Sequence, residues 1–267
     1  MTDAAAPTKA APAPPLLRLE RVSKTFPNGT MALDALSLAI GQGEFVSLLG
    51  PSGCGKSTAL RLIAGLIAPT AGDIVWNDAG RAGHRALSFV FQESTLMPWA
   101  TAFDNVMMPL KLRGMRRTEA APRVLEALAQ VGLPDSAGAY PRELSGGMKM
   151  RVSIARALVT EPTLLLMDEP FAALDEITRF RLNQDLLQLY RSRAMTIVFV
   201  THSIYESVFL SSRVVVMAPR PGRVVSAIDV PLAYPRPEAL RSDAAYNRLC
   251  NHLSEALHTA MAPRDFL

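Results

Sequence analysis

The chain has 267 residues, 49% hydrophobic and 19% charged, with a formal net charge of +4. That suffices for one large α/β domain, or one domain with an inserted subdomain, while the scattered basic residues argue against nucleic-acid binding. Two cysteines, Cys54 and Cys250, exclude a disulfide framework and fit a reducing compartment, and the longest apolar runs (Leu62–Ala68, Thr196–Val200) fall far short of the roughly 18–20 residues that cross a bilayer.

Residues 1–15 (MTDAAAPTKAAPAPP) read as a disordered Ala/Pro-rich tail, with little to bury and no apolar core of a secretory signal. From Leu16, LLRLERVSKTF alternates apolar and polar residues as a half-buried strand does. A turn at Pro27-Asn28-Gly29 follows, then a second strand over Leu33–Ile40. Glu44–Leu49 is short and apolar, the mark of a buried parallel strand. It runs into Gly50-Pro51-Ser52-Gly53-Cys54-Gly55-Lys56-Ser57, which fits G-x-x-x-x-G-K-S/T. Glycines let backbone N–H groups approach phosphate oxygens, and a following helix, expected over Lys56–Ala68, adds the positive end of its dipole. Lys56 supplies a point charge for the β- and γ-phosphates. The Ser57 hydroxyl is placed to coordinate Mg²⁺, and Thr58 follows in the first helical turn. Cys54 reads as a small loop filler.

Residues 93–160 carry helical signals, including Glu119–Val131 and Met148–Val159, and read as a helical insertion. Within it, Ser145-Gly146-Gly147 opens a helix and makes a second anion-binding helix N-terminus. Leu164–Met167 is a buried strand ending in Asp168 and Glu169. Carboxylates there face the crevice where α/β sheets bind ligands. Asp168 is placed to hold Mg²⁺ through water and Glu169 to polarise an attacking water as general base. Thr196–Val200 is another buried strand, 214–230 a hairpin around Pro219–Gly222, and 237–260 a helix packed on the domain surface.

Leu144-Ser145-Gly146-Gly147 ahead of RVSIARAL, with Asp168-Glu169-Pro170 after it, resembles the ABC transporter ATPase family over about residues 17–230. The resemblance implies an α/β fold: a P-loop NTPase ABC cassette with a RecA-like core, an inserted helical subdomain and an antiparallel β subdomain. It implies a cassette over 16–235 with the helical subdomain at about 93–160, and a C-terminal helical extension over 236–267. By the same resemblance Phe26 stacks on adenine and Gln92 is the glutamine that senses Mg²⁺ and the membrane partner. Ala173-Leu174-Asp175 is the D-loop, and His202 contacts the γ-phosphate. ATP with Mg²⁺ is thus held by the phosphate loop, Ser57, Gln92 and Asp168, and Lys56, Glu169 and His202 act on it.

The resemblance also implies partners: a second copy in a head-to-tail homodimer, transmembrane permease subunits, and indirectly a periplasmic or extracellular substrate-binding protein. Nucleic acid is not among them. The location implied is the cytoplasmic face of the inner membrane, peripherally. Met148 departs from the usual signature Gln, Ala172-Ala173 from the usual D-loop Ser, and Phe26 from the usual Tyr. None of these removes a catalytic group. Met97-Pro98-Trp99-Ala100-Thr101, FAALDEITR at Phe171–Arg179 and MAPRPGRVV at Met217–Val225 resemble the nitrate/sulfonate/taurine importer group, in which Met148 is usual. Leu96, Met97 and Trp99 are candidates for a groove that receives a permease helix. Two other readings share the motifs: an ABC ATPase of a non-transport membrane complex, and a soluble one acting on nucleic acid or ribosomes.

Overall fold

The structure, a computed structural model, describes residues 15–77, 87–193 and 195–261. The expected N-terminal tail therefore lies, apart from residue 15, outside the described residues.

Two sheets form. An antiparallel sheet has the order β2 (Met31–Ile40), β1 (Leu17–Thr25), β4 (Ala71–Trp76). The larger sheet runs β5 (Leu87–Val90), β6 (Leu164–Asp168), β7 (Thr196–Thr201), β3 (Phe45–Leu49), β8 (Arg213–Ala218), β9 (Arg223–Asp229). Neighbours from β5 to β8 pair parallel, and β9 closes antiparallel on β8. The central strands are buried on both faces, which explains why they are continuously apolar. Side chains alternate between two cores as strand geometry requires. Val46, Leu48, Leu164, Leu166, Val198 and Val200 join the core under the antiparallel sheet. Phe45, Leu49, Leu165, Met167, Ile197 and Phe199 join the core on the opposite face.

Helix α1 (Lys56–Ile63) belongs to the first core. It stops short of the expected Ala68. Gly65 takes φ +68°, its N–H bonds to Leu62 O, and the Leu66 N–H reaches back to Arg61 O, a Schellman ending that only glycine adopts at low cost. The helical insertion consists of α2 (Ala102–Leu112), α3 (Arg117–Gln130) and α4 (Gly146–Leu158). Phe103, Val106, Leu110, Val124, Leu128 and Ile154 continue the second core, so the insertion shares its packing with the sheet. Helices α5 (Glu176–Ser192), α6 (Ile204–Leu210) and α7 (Ala244–Met261) complete it.

The helix expected over 237–260 is in two parts, a 3₁₀ turn Glu238–Ser242 and then α7, because the Asp243 carboxylate accepts the Ala245 N–H at 2.6 Å and breaks the run. Helix α7 buries Tyr246, Cys250, Leu253 and Ala260 in the second core. Arg236, where the extension was expected to begin, is buried. It donates to the carbonyls of Val208, Phe209 and Ser211 at 2.9 Å, capping the end of α6, and its guanidinium lies over the Tyr234 ring.

Candidate functional site

Four adjacent strands of the large sheet, β5, β6, β7 and β3, each deliver a site segment at their C-terminal ends. Gln92 follows β5, Asp168 and Glu169 end β6, His202 follows β7, and the phosphate loop follows β3. Chain order scatters these residues over more than a hundred positions. Parallel pairing gathers them along one edge, where open α/β sheets bind ligands.

The phosphate loop is tightly constrained. Gly53 and Gly55 have φ of +78° and +89°, a region costly for other residues. A Cβ at Gly50 would lie 2.7 Å from both Cys54 Sγ and Met217 O. Cys54 is fully buried and burial pushes its thiol up, as expected of a filler rather than a reactive group. Gly222, in the β8–β9 turn, presses on the loop from behind. Its N–H donates to Ala32 O, its carbonyl accepts the Asp34 N–H, each at 3.0 Å, and a Cβ there would meet Cys54 O at 2.2 Å. Pro51 and Ser52 flank the loop, with Ser52 exposed, and Thr58 is half-buried in α1.

Lys56 is 4% exposed. Its ammonium donates to the carbonyls of Gly50 at 2.8 Å and Pro51 at 2.9 Å, and lies 3.5 Å from Glu169 Oε1. The other carboxylate oxygen of Glu169 is 3.4 Å from His202 Nδ1. Glu169 thus stands between the loop lysine and the histidine. Its backbone has φ +45°, held by its N–H to Val200 O at 3.1 Å and by its carbonyl accepting Ala172 N–H at 3.2 Å. Ser57 Oγ donates to Asp168 Oδ1 at 2.7 Å. Burial raises the Asp168 carboxyl above its ordinary value, the Ser57 hydrogen bond opposes this, and the neighbouring Glu169 charge adds to it. Ser57, half-buried, and Asp168, buried, place two hard oxygen ligands side by side. That fits Mg²⁺, which takes oxygen ligands and keeps several waters.

The remaining expected residues are placed as follows. Phe26 lies in the β1–β2 turn, half-buried, with Lys24 Nζ 5.7 Å from its ring centroid. Gln92 is exposed. Ser145 caps α4 by accepting the Met148 N–H at 3.3 Å. Gly146 and Gly147 open that helix against Leu174 and Thr178, and a Cβ on Gly147 would meet Thr178 Cγ2 at 2.7 Å. The signature therefore packs on the start of α5, while the phosphate loop opens α1.

Sequence reasoning missed the brace behind His202. Glu206, 7% exposed, accepts from Thr201 Oγ1 at 2.6 Å, and Thr201 Oγ1 accepts the Ser203 N–H at 3.0 Å, which pins the residues on both sides of the histidine. Arg179 donates to Leu174 O at 2.9 Å and holds the D-loop. The spacing of Glu206 four residues after His202 was the available signal.

The ABC transporter family model matches residues 33–172. A putative ATP-binding protein of Brucella abortus biovar 1 is 45% identical over 240 residues, 89% of this chain and 92% of that protein. The taurine import ATP-binding protein TauB of Rhizobium johnstonii is 48% identical over 202 residues, 74% of this chain and 76% of that protein. Among solved structures, the dimeric post-hydrolysis state of the ATP-binding cassette MJ0796 bound to ADP and Pi has a TM-score of 0.70 at 35% identity, covering 81% of this chain and 100% of that one.

Proposed function

The chain belongs to the ABC transporter family, and from that premise we propose that it is the ATP-binding and ATP-hydrolysing subunit of an importer for a small nutrient. The observation that carries this is Glu169, whose two carboxylate oxygens face Lys56 and His202 across the mouth of the phosphate loop. The loop glycines and the N-terminus of α1 bind the phosphates of ATP, and Lys56 exchanges its carbonyl partners for phosphate oxygens. Glu169 orients the attacking water and takes its proton, and His202, half exposed beside it, contacts the γ-phosphate. Ser57, Asp168 and Gln92 would hold Mg²⁺, which supplies neutralising charge at the phosphates. Phe26 stacks on the adenine.

The signature at Ser145–Gly147 and the phosphate loop are two anion-binding helix N-termini on different parts of the chain, and both are used when two copies pair head to tail. The dimeric state of the structural relative supports this. Residues 16–235 form the cassette and 236–267 its extension. No helix among the described residues is long and apolar enough to cross a membrane. In this reading the subunit is coupled to permease subunits at the cytoplasmic face. A groove of about 870 Å³, lined by Met97, Trp99, Met107, Met108, Leu112 and Met115, is the permease docking surface. Trp99 is 76% exposed in it. Leu96, expected in the groove, is not among the residues that line it. The taurine-import relative supports a cargo within the nitrate, sulfonate and taurine class.

The test is Glu169→Gln in the purified chain. ATP binding should persist, hydrolysis should fall by about 10²–10⁴-fold, and the ATP-bound dimer should accumulate on size-exclusion chromatography. Lys56→Ala should lose binding. Undiminished hydrolysis by Glu169→Gln would sink the assignment. Growth of a deletion strain on taurine, alkanesulfonates or nitrate as sole sulfur or nitrogen source then identifies the cargo.

A further inference from the structure

Between α5, α6 and the segment that leads into α7 lies a cavity of about 600 Å³. Four charged side chains line it: Glu176 and Arg179 from α5, Glu206 from α6 and Arg241 from the 3₁₀ turn. Asn183 of α5 lines it too and is 1% exposed, yet neither its amide nitrogen nor its carbonyl oxygen has a hydrogen-bond partner. Arg179 Nε, Glu206 Oε1 and Arg241 Nε are likewise buried without a hydrogen bond. Arg179 Nε and Glu206 Oε1 face each other at 3.8 Å, beyond hydrogen-bond reach. The Arg241 guanidinium lies over Phe180 and Phe209, 4.3 Å and 5.0 Å from their centroids, and no carboxylate among the described residues pairs with it. Unpaired buried donors and acceptors are costly, and here three such atoms, two on Asn183 and one on Arg241, belong to residues that line one cavity, beside an Arg179–Glu206 ion pair too long for a hydrogen bond.

We propose that this cavity binds a small zwitterion, carrying an oxyanion and an ammonium group a few bonds apart, and that its occupancy tunes ATP hydrolysis. Two cationic and two anionic side chains select a ligand of no net charge that bears both signs. The oxyanion meets Arg241 Nε and the Asn183 amide nitrogen. The ammonium meets Glu206 Oε1 and the Asn183 carbonyl oxygen. The route to the catalytic site is short. Glu206 holds Thr201, next to His202, and Arg179 holds Leu174, which lies against signature Gly146. A ligand that re-aims Glu206 or Arg179 shifts both segments. The binding half stands apart from the hydrolytic reading, and the tuning half rests on it.

The experiment is calorimetry on the full chain with glycine, β-alanine and taurine as probes, against acetate and ethylammonium as half-molecules. At least one zwitterion should bind about tenfold tighter than either half-molecule. Asn183→Leu replaces the unpaired amide with an apolar group of similar size and should fold well. It and Arg241→Gln should each weaken zwitterion binding about tenfold with ATP affinity unchanged. Saturating zwitterion should change the wild-type hydrolysis rate at least about twofold, and the change should vanish in Asn183→Leu. No heat from any zwitterion, equal binding by the half-molecules, or undiminished binding in both variants would overturn the site and leave a cavity filled by water. Binding without a rate change would overturn the tuning. Heat reads the site whatever the hydrolysis assay returns, so the two failures are distinguishable.

Discussion

Gly222→Ala places one methyl group behind the phosphate loop. A Cβ at this position would stand 2.2 Å from Cys54 O, 2.7 Å from Ala32 O and 2.9 Å from Leu33 Cδ2. Ordinary contact begins near 3.4 Å, so the Cys54 carbonyl must retreat by about 1.2 Å or the turn must lift by as much. The turn resists, because Gly222 is tied through both its N–H and its carbonyl to the start of β2. The loop is the side that yields, and its N–H groups lose their aim at the phosphates. Overpacking of this kind costs about 1–3 kcal/mol of stability, and a misplacement near 1 Å costs about 10²-fold in rate. Titration with a fluorescent ATP analogue, steady-state hydrolysis and a thermal melt read the three effects. Gly138→Ala is the control, since a Cβ there meets nothing within 4 Å. Unchanged nucleotide affinity and hydrolysis in Gly222→Ala would refute the idea that this turn buttresses the loop.

Trp99→Ala should leave the hydrolysis rate and melting temperature of the isolated chain unchanged but lower permease-dependent transport about tenfold or more, as loss of an interface hot spot does. Transport kept at the wild-type level would exclude the groove. Asp175 caps α5 by accepting the Thr178 N–H at 2.9 Å, and hydrogen bonds from Thr178 hold its carboxyl below the ordinary value. A depressed folded-state value means stability that is present above the unfolded value and lost as pH falls through the folded one. The urea midpoint of the wild type should therefore drop more steeply than that of Asp175→Asn between about pH 5 and about pH 2. Parallel curves would show that the cap carries no charge-dependent stability.

The phosphate loop, the signature and the Asp168-Glu169 pair were legible in the sequence because each is a local spacing. The buried strands were legible because burial on both faces leaves nothing but apolar residues. Strand β4 was not: its residues are mostly exposed at a sheet edge, so AGDIVW carries no strong pattern. Strand β5 is four residues long, too short for a period. The end of α1 was misplaced because the apolar run continues past Gly65 while the backbone does not. The contacts of Glu169 with Lys56 and His202 depend on β3, β6 and β7 lying side by side, an order that the chain does not spell out. The same holds for the cavity, which Asn183 and Arg241 line from elements with no shared local pattern.

The backbone of Glu169 offers a sharper test of how this site is built. Its φ of +45° is uncommon for a residue with a side chain, and the two hydrogen bonds to Val200 and Ala172 enforce it. At most positions Gly is less stable than Ala by about 0.5–1 kcal/mol, because it loses more freedom on folding. Here the left-handed backbone costs a Cβ-bearing residue about 1–2 kcal/mol. Glu169→Gly and Glu169→Ala both remove the carboxylate and its contact with Lys56, so those losses cancel between them. Their difference is the backbone term alone, and it should favour Gly by up to about 1 kcal/mol, read as a higher urea midpoint, with hydrolysis lost in both. An alanine variant as stable as the glycine variant would show that the positive φ stores no strain. A lead for glycine would mean that the fold holds Glu169 in an unfavoured conformation, fixing its carboxylate between the loop lysine and His202 before nucleotide arrives.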